Sequence, residues 1–320
     1  METRTQPESE TPSMRFIESP SEMLRPHSTV FPEVGFIDAN DLVFEVFQAG
    51  PERSGKLALC LHGFPEHAHS WRFQWSLLAR LGYRVWAPNL RGYGHSSRPG
   101  HVQDYAIEKL LKDVAGLIDA SGADEVVLIA HDWGALIAWY FAMHQIRPLN
   151  RLVIMNVPHP GPFARELKCN WEQKRRSWYG LFFQFPVLPE LLLGRHQGKE
   201  IGELFPRTAN HPENFTEYDV RVFSESAKQP QALTAMINYY RAIGVGGGGR
   251  RMTAKGFPVL HTPTLMIWGE EDMALTKATT LGTEDYVADL TLKYLPGISH
   301  WVQQDAPEQV NRLLEDWLTG

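Results

Sequence analysis

The run Val126-Val127-Leu128-Ile129-Ala130 leads through His131-Asp132-Trp133-Gly134 into Ala135-Leu136-Ile137-Ala138-Trp139. The order is a β-branched strand, a sharp turn and a helix, with a polar residue at the apex and a small residue two positions to either side. No other segment constrains the fold as much. The apex backbone of such an elbow is strained, and strand and helix pass close together there, so Ala130 and Gly134 must be small. Asp132 stands where an acyl-transfer enzyme of this architecture would carry serine. A carboxylate held there can attack carbon, but the product is an alkyl ester, which the same site must later cleave with water.

From residue 33 onward short apolar runs alternate with helical patterns. Eight strands are predicted: Gly35 to Ile37, Leu42 to Phe47, Lys56 to Leu61, Tyr83 to Ala87, Glu125 to Ala130, Arg151 to Met155, Thr264 to Trp268 and Leu290 to Tyr294. Between Tyr105 and Ser121, Leu110, Leu111, Val114, Leu117 and Ile118 recur at three- and four-residue steps and mark one buried helix face. Asp305 and Glu308 read as a capping-box start for a last helix that buries Val310, Leu313, Leu314, Trp317 and Leu318. Buried strands alternating with amphipathic helices predict an α/β fold, an eight-stranded, mostly parallel sheet flanked by helices on both faces.

The chain has 320 residues, 43% hydrophobic and 21% charged, enough to bury a sizeable core. A formal net charge of -6 carries no overall electrostatic footprint for nucleic acid or an anionic membrane. No segment reaches the ~18 consecutive apolar residues of a membrane span, so membrane insertion is not expected. Cys60 lies in a strand and Cys169 in a helical segment, without metal-ligand spacing. Both are expected to be free thiols in a reducing, cytoplasmic setting. Residues 1–30, rich in Glu, Ser, Thr, Pro and Arg, read as a disordered tail. Glu2, Glu8, Glu10 and Glu18 argue against a transit peptide.

Between about Pro160 and Phe257 no strand signal appears, while helical patches recur between prolines. This predicts a helical cap over 160–255, inserted into a core made of 31–159 and 256–320. Gly244 to Arg251, with five glycines, is expected to be a flexible return segment in which Arg250 and Arg251 are solvated.

The chain resembles the α/β-hydrolase superfamily, most closely the epoxide hydrolases of its aspartate-nucleophile branch. Five motifs in order carry the resemblance: His62-Gly63-Phe64-Pro65, Arg91-Gly92-Tyr93-Gly94-His95-Ser96, His131-Asp132-Trp133-Gly134, Trp268-Gly269-Glu270-Glu271-Asp272 and Gly297-Ile298-Ser299-His300. The resemblance covers about residues 33 to 320, leaving only the N-terminal segment outside. The resemblance implies Asp132 as nucleophile, His300 as the base that activates water, and Asp272 as the acid that orients it. Imidazole suits the base because its ordinary pKa lies near neutrality. Glu270 and Glu271 are rival acids, and the alternative position after the sixth strand holds Asn156, which cannot serve.

The resemblance further assigns the amides of Phe64 and Trp133 to an oxyanion hole and places a cis peptide before Pro65. His62 and the Arg91 to Ser96 turn read as structural supports. Tyr179 and Tyr240 match the pair of cap tyrosines that hold an epoxide oxygen, and Leu233 and Ile237 share a helical face with Tyr240. Trp133, Trp178 and Phe183, with Phe182 and Phe185, are expected to contact an apolar substrate. The implied reactants are a small hydrophobic epoxide and water, with no metal or organic cofactor, in a monomer or homodimer. Haloalkane dehalogenation through the same aspartate, and a non-catalytic ligand-binding protein of the same fold, are the alternative readings.

Overall fold

The computed structural model describes residues 32–254 and 256–320; the expected N-terminal tail lies outside the described residues. One eight-stranded sheet organises them, in the order β1-β2-β4-β3-β5-β6-β7-β8. The strands are β1 (Glu33–Ala39), β2 (Leu42–Ala49), β3 (Lys56–Leu61), β4 (Arg84–Pro88), β5 (Glu125–His131), β6 (Arg151–Met155), β7 (Thr264–Gly269) and β8 (Leu290–Leu295). Each predicted strand is present, and β3 and β6 have the expected ends. β1 and β2 pair antiparallel with their neighbours, while β4, β3, β5, β6, β7 and β8 run parallel.

Side chains alternate across the sheet, as period two requires. Leu57, Leu59, Leu61, Val126, Leu128 and Ala130 enter one core, and Ala58, Cys60, Val127 and Ile129 enter the other. Helix α1 (Trp75–Arg80) covers the second face; α2 (Ile107–Ser121) and α3 (Asp132–Met143) cover the first. The five predicted apolar residues of α2 are all buried, each worth roughly 1.5–3 kcal/mol as an upper estimate. Its α-helical part begins two residues later than expected, because Val102–Tyr105 forms a separate 3-10 turn.

All residues between Pro160 and Ala254 are helical or irregular. They form α4 (Pro160–Cys169), α5 (Trp171–Arg176), α6 (Trp178–Phe182), α7 (Leu188–Leu193), α8 (Lys199–Thr208), α9 (Glu217–Lys228), α10 (Ala232–Ile243) and α11 (Gly248–Ala254). The chain returns through β7 and β8 to α12 (Val302–Asp305) and α13 (Pro307–Thr319).

Two local expectations fail. Gly248 and Gly249 open helix α11 instead of lying in a flexible strap. A Cβ at Gly248 would sit 2.6 Å from the Ala242 carbonyl oxygen, so glycine permits close approach of α11 to the end of α10. Arg251 is not merely solvated, since its guanidinium lies 3.3 Å from Glu108 and donates to the Gly246 carbonyl. Asp305 does not cap α13, whose preceding Ala306 makes no side-chain cap. Its buried carboxylate instead accepts the amides of Ser299, Asn210 and His211.

The order β4-β3-β5 reverses direction between β3 and β5. A crevice opens beyond the carboxyl ends of parallel strands at such a reversal. Phe64 follows β3 and Asp132 follows β5, so the two meet there.

Candidate active site

Asp132 has φ 47, in the left-handed region that a non-glycine residue seldom occupies. Two glycines make this possible. A Cβ at Gly134 would lie 2.4 Å from the Leu61 carbonyl oxygen, and one at Gly63 would lie 2.3 Å from the Asp132 Cβ. The elbow therefore presses against the end of β3 with no space for side chains.

The Phe64 amide donates to Asp132 Oδ1 at 2.6 Å, and the Phe64-Pro65 peptide is cis. Trp133 is the second residue of α3, where a backbone N–H has no intrahelical acceptor. His62 serves its own loop, with Nδ1 2.9 Å from the Gly63 carbonyl and Nε2 accepting the Leu90 amide. Burial pushes its pKa down to about 4, against the opposing pull of Glu66. The Arg91 turn is likewise a support: Arg91 grips Asp113 of α2 through Nε at 2.7 Å and Nη2 at 2.5 Å.

His300 lies between two carboxylates. Its Nδ1 is 2.6 Å from Asp272 Oδ2, and its Nε2 is 3.5 Å from Asp132 Oδ2. Burial alone would lower its pKa; the charges and hydrogen bonds of Asp272 and Asp132 hold it well above the ordinary value. Burial would raise Asp132, but His300, His131 and the Phe64 amide bring it below the usual carboxylate range. Asp272 is lowered in the same way, against burial, by His300, Asn156 and the Leu275 amide. The rival acids stand elsewhere, Glu270 paired with Lys277 and Glu271 exposed.

Several residues around this group escaped sequence reasoning. Asn156, excluded as an acid, donates to Asp272 Oδ2 at 2.8 Å and accepts the Gly269 amide, so it seats the acid on β7. Glu66 is fully buried and accepts from the Gly63 amide, the His131 ring, Gln303 and Gln304. His131 Nε2 lies 2.9 Å from the His300 carbonyl, which can only accept. The loop after β3, the elbow and the His300 turn are thus joined by one buried polar network. The only signals were the placement of His131 beside Asp132 and of Glu66 just after Pro65.

Above the carboxylates lies a cavity of about 470 Å³, lined by Asp132, His300, Phe64, Tyr179 and Tyr240 and otherwise largely by apolar side chains. Tyr179 comes from α6 and Tyr240 from α10, with ring centroids 5.9 Å apart and nearly perpendicular. Burial first, and the Asp132 charge second, push both phenols above their ordinary pKa, so both keep their protons. Phe183 is buried and lines the cavity; Trp178 lines its mouth but is 62% exposed. Phe185 is 57% exposed and outside the lining, contrary to expectation, because the chain turns after Phe183. Leu233 and Ile237 are also outside it, and only Tyr240 of that face reaches the cavity. Trp133 packs edge-on against Tyr240, centroids 5.0 Å apart, instead of forming the wall. Arg175, Arg176, Leu193, Ile201, Leu204, Met273, Ala274 and Trp301 also line it without having been singled out as site residues.

A family model for the alpha/beta hydrolase fold matches residues 58–307. Epoxide hydrolase 1 of Caenorhabditis elegans is 36% identical over 266 residues, covering 82% of this chain and 64% of the relative. The chain thus spans just under two thirds of that relative's length. Epoxide hydrolase 3 of Xenopus tropicalis is 36% identical over 295 residues, covering 89% of this chain and 77% of the relative. A crystal structure of a Bacillus megaterium epoxide hydrolase in complex with an inhibitor superposes with a TM-score of 0.79 at 29% identity, covering 89% of this chain and all of that one.

Proposed function

The chain belongs to the α/β-hydrolase fold family, in its epoxide hydrolase branch, and on that premise we propose that it opens a hydrophobic epoxide to a vicinal diol through an alkyl ester on Asp132. The observation that carries this reading is the position of His300, its Nε2 3.5 Å from Asp132 and its Nδ1 2.6 Å from Asp272, beneath two phenols in an apolar cavity. In the first half-reaction Asp132 Oδ2, left free by the Phe64 amide on Oδ1, attacks a ring carbon from the back. The carbon–oxygen ring bond breaks, and the departing oxygen takes a proton from the Tyr179–Tyr240 pair.

Esterification removes the Asp132 charge that held the His300 proton, which passes through water to the deprotonated tyrosine pair. In the second half-reaction the neutral Nε2 removes a proton from water, and the hydroxide adds to the Asp132 carboxyl carbon. Charge develops on Oδ1, which already faces the Phe64 amide; the Trp133 amide at the start of α3 is assigned as the second donor. Collapse breaks the ester, the added hydroxyl gives its proton to the departing alkoxide, and the diol leaves with the Asp132 carboxylate and the His300 imidazolium restored. Asp272 holds the imidazole and balances its charge. Residues 160–255 act as a cap that carries the two tyrosines and keeps water away from the first step.

Two alternatives are weaker. Trp133, the natural halide donor of a dehalogenase reading, packs against Tyr240 and off the cavity wall. A non-catalytic binding protein has no need of the complete Asp132, Asp272 and His300 set. The test is intact-mass analysis of His300→Gln with an aryl epoxide: an adduct is expected, mapping to Asp132. Active wild type with no adduct in the variant, or halide release from a chloroalkane with the epoxide left intact, overturns the proposal.

A further inference from the structure

We propose that the face built from α5, α6 and the turn into α7 docks on an anionic phospholipid surface, with the mouth of the cavity turned toward the bilayer. Half of the exposed large apolar side chains among the described residues fall between positions 171 and 191. Trp171 is 77% and Leu181 76% exposed. Trp171 shares a face of α5 with Arg175, four residues on, and Trp178 shares a face of α6 with Leu181, three residues on. The turn that follows is held rigidly. Arg241 donates to the carbonyls of Phe183 and Phe185 and grips Glu190 through Nη1 at 2.6 Å. At its tip Val187 has φ 67, a conformation a β-branched residue rarely adopts, and its side chain points into solvent.

The charge of this segment runs against that of the molecule. The chain carries a net -6, yet each acid between 165 and 195 is held by an arginine: Glu166 by Arg165, Glu172 by Arg176 and Glu190 by Arg241. Lys168, Lys174, Arg175 and Arg195 are exposed and in no ion pair among the described residues. Tryptophan and aliphatic tips ringed by unneutralised cations suit the boundary between headgroups and acyl chains, where long basic side chains extend toward phosphate. A second copy of this chain is the poorer occupant, because a twofold interface would set these cations against themselves.

No described helix is long and apolar enough to cross a membrane, so the contact is peripheral. Arg175, Arg176 and Trp178 belong both to this face and to the cavity lining, so a lipophilic compound dissolved in the bilayer can enter without crossing bulk water. The docking does not depend on which bond the enzyme breaks.

The test is sedimentation of the full chain with vesicles of phosphatidylcholine, with and without phosphatidylserine, in the absence of substrate. Binding is expected only with phosphatidylserine, falling as salt rises. Lys168→Gln and Lys174→Gln should each weaken it by roughly fivefold, and Trp171→Ser with Leu181→Ser should abolish it, with the thermal midpoint and the turnover of a small soluble epoxide unchanged. Absence of binding to both vesicles, binding that survives all four substitutions, or a concentration-dependent dimer that Trp171→Ser and Leu181→Ser dissociate without any vesicle binding, each overturns the proposal.

Discussion

The Nε2 of His300 stands 3.5 Å from Oδ2 of Asp132. Both groups are shielded from solvent, so each stabilises the charged form of the other. The relationship is temporary in the proposed cycle: once Asp132 is esterified its charge is gone, and one of the two carboxylates that raise His300 disappears.

Asp132→Asn reproduces that loss. The His300 imidazole, raised well above its ordinary value in the wild type, is expected to titrate at lower pH in the variant, while Asp272 still holds it up. The sign for stability follows. A raised imidazole contributes stability below its unfolded pKa and loses it as pH rises through the folded one. A depressed carboxylate contributes above its unfolded pKa and loses it as pH falls. The stability difference between wild type and variant is therefore greatest between the unfolded Asp value and the unfolded His value, and it declines as pH rises from there toward the raised His300 value. Imidazole NMR titration checks the first statement, and an unchanged His300 pKa contradicts it.

Gln184 ties the two tyrosine-bearing helices together. Its Nε2 donates to the carbonyls of Gly180, at 2.9 Å, and Tyr240, at 3.1 Å, while its Oε1 accepts the Val245 amide. Gln184→Ala is expected to slow ester formation about 10- to 100-fold, the usual cost of misplacing a reacting group by about 1 Å. Ester hydrolysis, which needs neither phenol, should change little. Single-turnover fluorescence separates the steps, and equal slowing of both refutes a positioning role.

Gly63→Ala forces the Asp132 carboxylate off the Phe64 amide, because the new methyl would lie 2.4 Å from Oδ1. A loss of about 10²-fold or more in kcat is expected, the scale of one oxyanion donor. Gly100→Ala, where nothing lies within 4 Å, is the matched control and should be neutral. Steady-state kinetics on both variants decides it, and a fully active Gly63→Ala enzyme rules out the assigned geometry.

The strands were legible because apolar β-branched runs report burial directly, and β3 and β6 were read to their end residues. The elbow was legible because its steric demands act within a few residues of Asp132. Asp305 misled for a related reason: an acid before a helix looks like a cap whatever it bonds. Its partners, the amides of Ser299, Asn210 and His211, include two that lie more than ninety residues away in the chain. The glycines at 248 and 249 misled because entropy predicts looseness, whereas close packing against α10 selects the same residue.

The amino-acid order by itself determined which segments become strands, that a carboxylate sits at the elbow, and which histidine and acid follow β8 and β7. These depend on local sterics and on the periodicity of burial. Only the tertiary structure decided that Asn156 seats Asp272, that Glu66 and His131 bind three loops together, and that Trp133 packs against Tyr240. Each joins residues far apart in the chain, and a hydrogen bond between distant groups leaves no pattern along the sequence until the fold has brought them within about 3 Å.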